Sequence, residues 1–198
     1  ELQEKLHNTI GRNRKKVAIG IYPLEKIKLP IKYEAREPEK IRFIPLESEN
    51  EMNGLEILKK HPKGKEFTHL LEGKEKFPIF LDSDNKILSM PPIINSHDTG
   101  KITEQTKEIF IECSGSQIET LNKTLNIIVT TIAEMGGKVY QMELLGLHRI
   151  HGAKKELTPD FSTEKMSLSL QNANKLLGLG LKEQEVRKLL EKMGHNYS

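Results

Sequence analysis

The chain has 198 residues, 36% of them hydrophobic and only 5% aromatic, with no tryptophan. Its 31 Lys and Arg stand against 28 Asp and Glu, a formal charge of +3, which is too balanced for a histone-like or ribosomal-tail type of nucleic-acid binder. Any polyanion contact is therefore local, and the positive excess sits at the two ends, in residues 1–16 and 148–198. A single cysteine, Cys113, leaves no internal disulfide and no cysteine cluster for zinc. The longest apolar run falls far short of the roughly 20 residues that span a bilayer, so no membrane segment is expected. The charged opening segment is unlike a secretory signal, and with reduced cysteine chemistry this points to the cytoplasm. The chain starts at Glu1 without Met and stops soon after its last predicted helix, which suggests a piece of a longer protein.

In chain order, Leu2, Leu6 and Ile10 recur every four residues and predict a helix with one narrow apolar stripe. The basic cluster Arg12, Arg14, Lys15 and Lys16 follows it. Val17–Tyr22 is apolar, rich in β-branched residues and bounded by Pro23, the pattern of a buried strand. Residues 31–36 and 41–46 read as short strands. A helix is expected over Met52–His61, stopped by Pro62. Residues 77–82 and 86–90 flank the polar turn Ser83-Asp84-Asn85 and predict an antiparallel hairpin.

Residues 108–114 predict a further strand, and Ser116-Gln-Ile-Glu119 has the capping-box spacing at the start of a long helix that runs to Gly136-Gly137. A strand is expected over 139–145 and a polar linker over His148–Asp160. Then come a possible strand at 166–170 and two helices, 171–177 and 182–193, around Gly178 and Gly180. Two helices about a glycine-containing turn suggest an incomplete helix-turn-helix or winged-helix unit.

No phosphate-wrapping glycine loop is present, and Gly178-Leu-Gly180 lacks both a third glycine and a preceding strand. His148 and His151 have no third ligand at a fixed spacing, so a polar connector is the better reading than a metal site. Cys113, inside an apolar strand, reads as a small core residue rather than a nucleophile. Asn95-Ser-His-Asp98 holds hydrolase-type side chains, but three adjacent loop residues do not easily converge as a triad. Strand alternation sends Phe110, Glu112 and Ser114 to one face, with Ile109, Ile111 and Cys113 on the other. A carboxylate and a hydroxyl in an apolar strand, just before a helix, fit either a pocket lining or a solvated sheet face. Ser89, between large apolar residues and before Pro91-Pro92, is equally ambiguous.

The run Glu1-Leu-Gln-Glu-Lys-Leu-His7, the strand Val17-Ala-Ile-Gly20, the string Leu88-Ser-Met-Pro-Pro-Ile-Ile-Asn95 and Ile109-Phe-Ile-Glu-Cys-Ser-Gly115 together resemble the beta subunit of phenylalanyl-tRNA synthetase in its archaeal and eukaryotic form. The Ser-Met-Pro-Pro-Ile-Ile-Asn string is the most specific. Lys165-Met166-Ser167 also matches three residues of the class I synthetase lysine loop, but Leu168 stands where a second lysine is expected, and the match reads as chance.

The resemblance implies an α+β fold, with a mixed-sheet or β-sandwich editing module and packed helices over residues 1–150. A linker and a partial winged-helix-like module would occupy 151–198. It implies hydrolysis of tyrosine wrongly attached to tRNA(Phe), in a pocket made by Phe80, Ser89, Glu112 and Ser114. The family pattern has Asp and Thr where this chain has Glu112 and Ser114. Gln3, Arg12, Arg14 and Lys15 are the candidate tRNA contacts, with a solvated charge cluster as the alternative. The implied partners are tRNA(Phe) and the alpha subunit, in a heterotetramer of two alpha and two beta chains. Neither metal nor cofactor is expected on this segment, whereas ATP and magnesium belong to the ligase reaction of the parent enzyme. Two other readings compete: a tRNA-docking or subunit-assembly module with a decayed pocket, and a free-standing hydrolase of another aminoacyl ester.

Overall fold

The computed structural model describes residues 1–146 and 156–197. The His148 and His151 pair lies outside them. Contacts divide the chain into two compact units, Glu1–Asp160 and Phe161–Ser198. The class is α+β, and every described strand pair is antiparallel.

In the first unit, α1 (Leu2–Asn8) turns Leu6 and His7 inward. Strand β1 (Val17–Pro23) pairs with a strand about ninety residues later, β8 (Ile109–Gly115), in a register running from Val17↔Gly115 to Pro23↔Ile109. One face of this two-stranded sheet carries Val17, Ile19, Ile111 and Cys113. It buries them against Leu6 of α1 and against Ile128 and Leu121 of the long helix α5 (Ile118–Glu134).

The capping box expected at Ser116 does not form. The helix starts one residue later, with Gln117 in extended geometry at the N-cap and no side-chain cap bond. That shift puts Thr120 at the third position, where its hydroxyl donates to Gln117 Oε1 (3.3 Å), and Glu119 pairs with Lys123 instead (2.6 Å).

A four-stranded sheet runs in the order β2 (Lys32–Arg36), β5 (Phe77–Leu81), β6 (Ile87–Met90), β7 (Ile94–Asn95), the last followed by the short helix α4 (His97–Gly100). The expected hairpin is β5–β6. Its turn is held by the Asp82 carboxylate, which accepts from the backbone N–H of Asp84 (3.0 Å) and Lys86 (2.9 Å). Phe77, Ile79 and Leu81 alternate onto one face, where α2 (Gly54–Lys60) and α3 (Pro62–Phe67) contribute Ile57 and Phe67 to the largest apolar cluster. Helix α2 begins at a formed capping box, Asn53 with Glu56. Of the strand expected over 41–46 only β3 (Arg42–Phe43) forms, paired with β4 (Met52–Asn53); Pro45 and the positive φ of Glu47 (65°) end it.

Two readings near the C-terminal end are corrected. The strand expected over 139–145 shrinks to β9 (Met142–Leu144), and its partner β10 (Glu156–Thr158) lies in the stretch read as linker. Residues 166–169 form no strand, because Ser169 caps the following helix by accepting from Asn172 N–H (3.2 Å). In the second unit, α6 (Leu170–Leu177) ends at Gly178 in the left-handed region (φ 66°), which only glycine occupies without penalty. The Asn174 side chain then bridges to Leu181 through both its amide atoms, leading into α7 (Glu183–Lys192).

Candidate functional site

The site lies between the two main sheets of the first unit. In the four-stranded sheet the register aligns one residue per strand: Tyr33 opposite Phe80, Phe80 opposite Ser89, and Ser89 opposite Asn95. One end of this row is aromatic, with Tyr33 and Phe80 rings 4.6 Å apart. The other end is polar. From the β1–β8 sheet the opposite row is Ala18, Gly20 and Tyr22 facing Ser114, Glu112 and Phe110.

These rows meet at the hydroxyl of Tyr22, a residue with 0% exposure. It lies 2.8 Å from Ser89 Oγ, 3.2 Å from Glu112 Oε1 and 3.4 Å from Asn95 Oδ1. The meeting depends on Gly20, directly across from Glu112. A Cβ there would stand 2.2 Å from the Tyr22 hydroxyl and 2.5 Å from Glu112 Oε1, so any side chain would drive the pair apart.

Burial pushes the Glu112 carboxyl up to about 8, against the smaller opposing effects of Tyr22 and Ser114. At neutral pH it is therefore mostly a neutral acid. Burial, reinforced by the Glu112 charge, raises Tyr22 well above the ordinary phenol value, so that hydroxyl keeps its proton. Glu112 Oε2 is buried without a hydrogen-bond partner, as is Ser114 Oγ; Ser114 favours the ionised carboxyl from nearby but outside bonding geometry.

Glu112, Ser89 and Asn95 line a cavity of about 280 Å³. Arg14, also in the lining, belongs to a left-handed turn: Arg12, Asn13 and Arg14 all have positive φ (48°, 54° and 64°). The turn swings Arg14 inward, where Nη1 donates to the carbonyls of Ile93 (2.8 Å) and Pro92 (3.3 Å), and Nη2 to Glu4 Oε1 (3.1 Å). Its guanidinium also covers the Phe67 ring at 4.4 Å.

His7, 2% exposed, accepts the Ile19 N–H at Nε2 (2.9 Å), which puts its remaining proton on Nδ1, 3.4 Å from Glu4. Burial and then the Arg14 charge lower its pKa, so this histidine is neutral. Burial tends to raise Glu4, but the Arg14 charge, helped by the neighbouring His7 N–H, outweighs it and holds the carboxyl down.

Of the residues singled out from sequence, Ser89 and Glu112 therefore converge on one hydroxyl at the cavity wall. Ser114 is buried two residues along the same strand face but is absent from the lining, and Phe80 packs with Tyr22 and Tyr33 behind it. Gln3 lines the cavity, its amide donating to Ile19 O (2.8 Å). Arg12 and Lys15 are exposed, whereas Arg14 is not the free surface cation that its sequence neighbours suggest. Burial pushes the Cys113 thiol up, out of the range of a nucleophile.

Tyr22 was missed as a functional residue, since an apolar strand reads as core. Only its place two residues from Gly20 on the inward face hinted at a role. Among the described residues no group of three or more His, Cys, Asp or Glu side chains could hold a metal ion. No described helix is long and apolar enough to cross a membrane.

No family model matches the chain. Its sequence is 44% identical over 193 residues to the phenylalanine-tRNA ligase beta subunit of Thermococcus sibiricus, and 42% identical to that of Pyrococcus abyssi. Each alignment takes in 98% of this chain and 34% of the relative. The fold matches a crystal structure of an N-terminal fragment of the phenylalanyl-tRNA synthetase beta subunit from Pyrococcus horikoshii, with a TM-score of 0.86 and 42% identity, covering 96% of this chain and 53% of that one.

An α+β chain with these relatives is of the aminoacyl-tRNA synthetase class. Within that class it belongs to the family of archaeal phenylalanine-tRNA ligase beta subunits. It spans about a third of the length of the curated relatives it matches.

Proposed function

We propose that this chain is the proofreading part of a phenylalanine-tRNA ligase, hydrolysing the ester of tyrosyl-tRNA(Phe) at the cavity walled by Ser89, Asn95 and Glu112. The parent enzyme would act in the cytoplasm as two alpha and two beta chains, with the ATP- and magnesium-dependent ligation carried out away from this segment. The need for such a site is physical. A hydrophobic pocket shaped for phenylalanine cannot strongly reject a ring that only adds a hydroxyl, so discrimination falls to a second site that requires the hydroxyl.

The observation that carries the reading is Glu112, which lines the cavity of about 280 Å³ and whose buried Oε2 has no hydrogen-bond partner. That volume is at the lower edge of the range for small-ligand pockets, about 300 Å³. A neutral carboxyl can donate to a substrate phenol and satisfy itself in doing so; a phenylalanyl ring would leave it unpaired at a cost of about 1–3 kcal/mol, or roughly 5- to 150-fold in rate. With the ring held, a water oxygen bonds to the ester carbon, the bond to the terminal ribose oxygen breaks, and that oxygen leaves with a proton as free tyrosine departs. Ser89 and Asn95 supply further polar atoms beside Glu112, where the phenol is held. The exposed Arg12 and Lys15 attract the tRNA backbone near the cavity mouth, and Gln3 offers an amide at its wall.

The test is clearance of tyrosyl-tRNA(Phe) by the complete synthetase. Glu112→Ala should slow it at least tenfold, while phenylalanine attachment is unchanged. Wild-type clearance by both Glu112→Ala and Ser114→Ala would refute the reading and favour a docking or assembly module with a decayed pocket.

A further inference from the structure

Tyr22 is a buried group of the site that the proposed hydrolysis leaves without a task, and its surroundings are unusual. From β1 it bonds groups on three other strands, β6, β7 and β8. A phenol has one proton to give and accepts at the same oxygen. Asn95 Oδ1 only accepts and is the most distant, at 3.4 Å. The Ser89 hydroxyl, at 2.8 Å, can donate to the phenol oxygen, which leaves the phenol proton for Glu112 Oε1 at 3.2 Å. With Oε1 accepting in this way, the proton of the neutral carboxyl belongs on Oε2, the oxygen that has no other partner.

We propose that Tyr22 is a positioning residue and specificity determinant for the tyrosyl ester: by occupying Glu112 Oε1 it directs the carboxyl's Oε2–H at the substrate and fixes the Ser89 hydroxyl beside it. The inference rests on the proofreading reading above and assigns the orientation on which that reading depends. The Glu112 carboxyl has Tyr22 from β1 and Ser114 on its own strand beside it, Ser89 and Asn95 from β6 and β7 share the Tyr22 hydroxyl, and the Cys113 thiol next along the strand is raised; none of them is charged at neutral pH. The Tyr33 phenol on β2 senses the carboxylate and is likewise neutral. Across the cavity, Glu4 and Arg14 pair with each other, and neutral His7 sits beside Glu4. Glu47 and Lys63 complete the charged lining.

The experiment is Tyr22→Phe in the complete synthetase, a change that keeps the ring and removes only the hydroxyl. Clearance of tyrosyl-tRNA(Phe) should lose about tenfold in kcat with KM within about twofold, since the bond lost orients rather than holds the substrate. The Tyr22 hydroxyl favours the ionised carboxyl, so its removal should also move the inflection of the clearance pH profile upward. Wild-type kcat and an unmoved inflection would overturn the inference. So would a rate loss with an unmoved inflection and a markedly lower melting temperature, which marks a merely structural side chain. If Glu112→Ala and Ser114→Ala both clear normally, the proofreading reading fails; if Glu112→Ala is defective and Tyr22→Phe normal, only the role given to Tyr22 fails.

Discussion

Gly20→Ala tests the construction of the site with the smallest possible change. Gly20 has no positive φ, so alanine meets no backbone penalty there, and the whole effect comes from one methyl group. That methyl would lie 2.2 Å from the Tyr22 hydroxyl, 2.5 Å from Glu112 Oε1 and 2.7 Å from Tyr22 Cζ, all inside van der Waals contact. Neither neighbour yields freely, because Tyr22 is fully buried and Glu112 is 7% exposed. Overpacking costs about 1–3 kcal/mol, and separating the phenol from a buried carboxyl costs about 1–3 kcal/mol more, so a loss near 3 kcal/mol is expected. Urea unfolding followed by far-ultraviolet circular dichroism measures it. Combined with Tyr22→Phe, which removes the closest contact, the loss should be smaller than the sum of the two singles by at least about 1 kcal/mol. A Gly20→Ala chain within about 0.5 kcal/mol of the parent, or strict additivity in the double variant, would refute the proposed crowding.

The raised Glu112 carboxyl sets a pH dependence of stability. Its unfolded value is near 4.5 and its folded value about 8, so the folded state holds the proton more tightly, and this stability is fully present below pH 4.5 and lost as pH rises towards 8. Glu112→Gln, which cannot ionise, should gain on the parent by a few kcal/mol between those limits; parallel curves of unfolding free energy against pH would sink the assignment. Arg14→Ala should cost about 2–4 kcal/mol, because two carbonyls, Glu4 and the Phe67 face lose one shared donor. Arg14→Lys should recover less than half, since a single ammonium cannot reproduce the fork, and full recovery in urea unfolding would show that charge alone matters.

Local pattern carried much of this fold. The two-residue period separated Glu112 from Cys113 onto opposite faces of one strand, and the polar turn at Ser83-Asp84-Asn85 marked its hairpin. Both depend on neighbours a few residues away. What stayed hidden depends on partners far along the chain. Tyr22 and Glu112 are ninety residues apart, and nothing in an apolar strand says that one of its rings ends on a carboxyl. Arg14 sits in a run of cations that reads as solvated surface, and only the backbone sign at Arg12, Asn13 and Arg14 turns it inward. At Ser116 the correct helix was read with the wrong cap, a one-residue offset that sequence spacing does not resolve. Strand β10 was lost in polar composition because a three-residue strand with one buried side chain has almost no pattern to show.

The β1–β8 pair and the four-stranded sheet are separate ladders, and at the cavity they are stitched by side-chain bonds from Tyr22 rather than by paired backbone. Each ladder is stiff, while the seam between them is only as firm as a few hydroxyl contacts. A phenol taken up at the remaining oxygen of Glu112, as proposed, adds a stitch to those already drawn through Tyr22. Binding at this wall therefore firms the seam, and the width of the cleft becomes a property of the two phenols together.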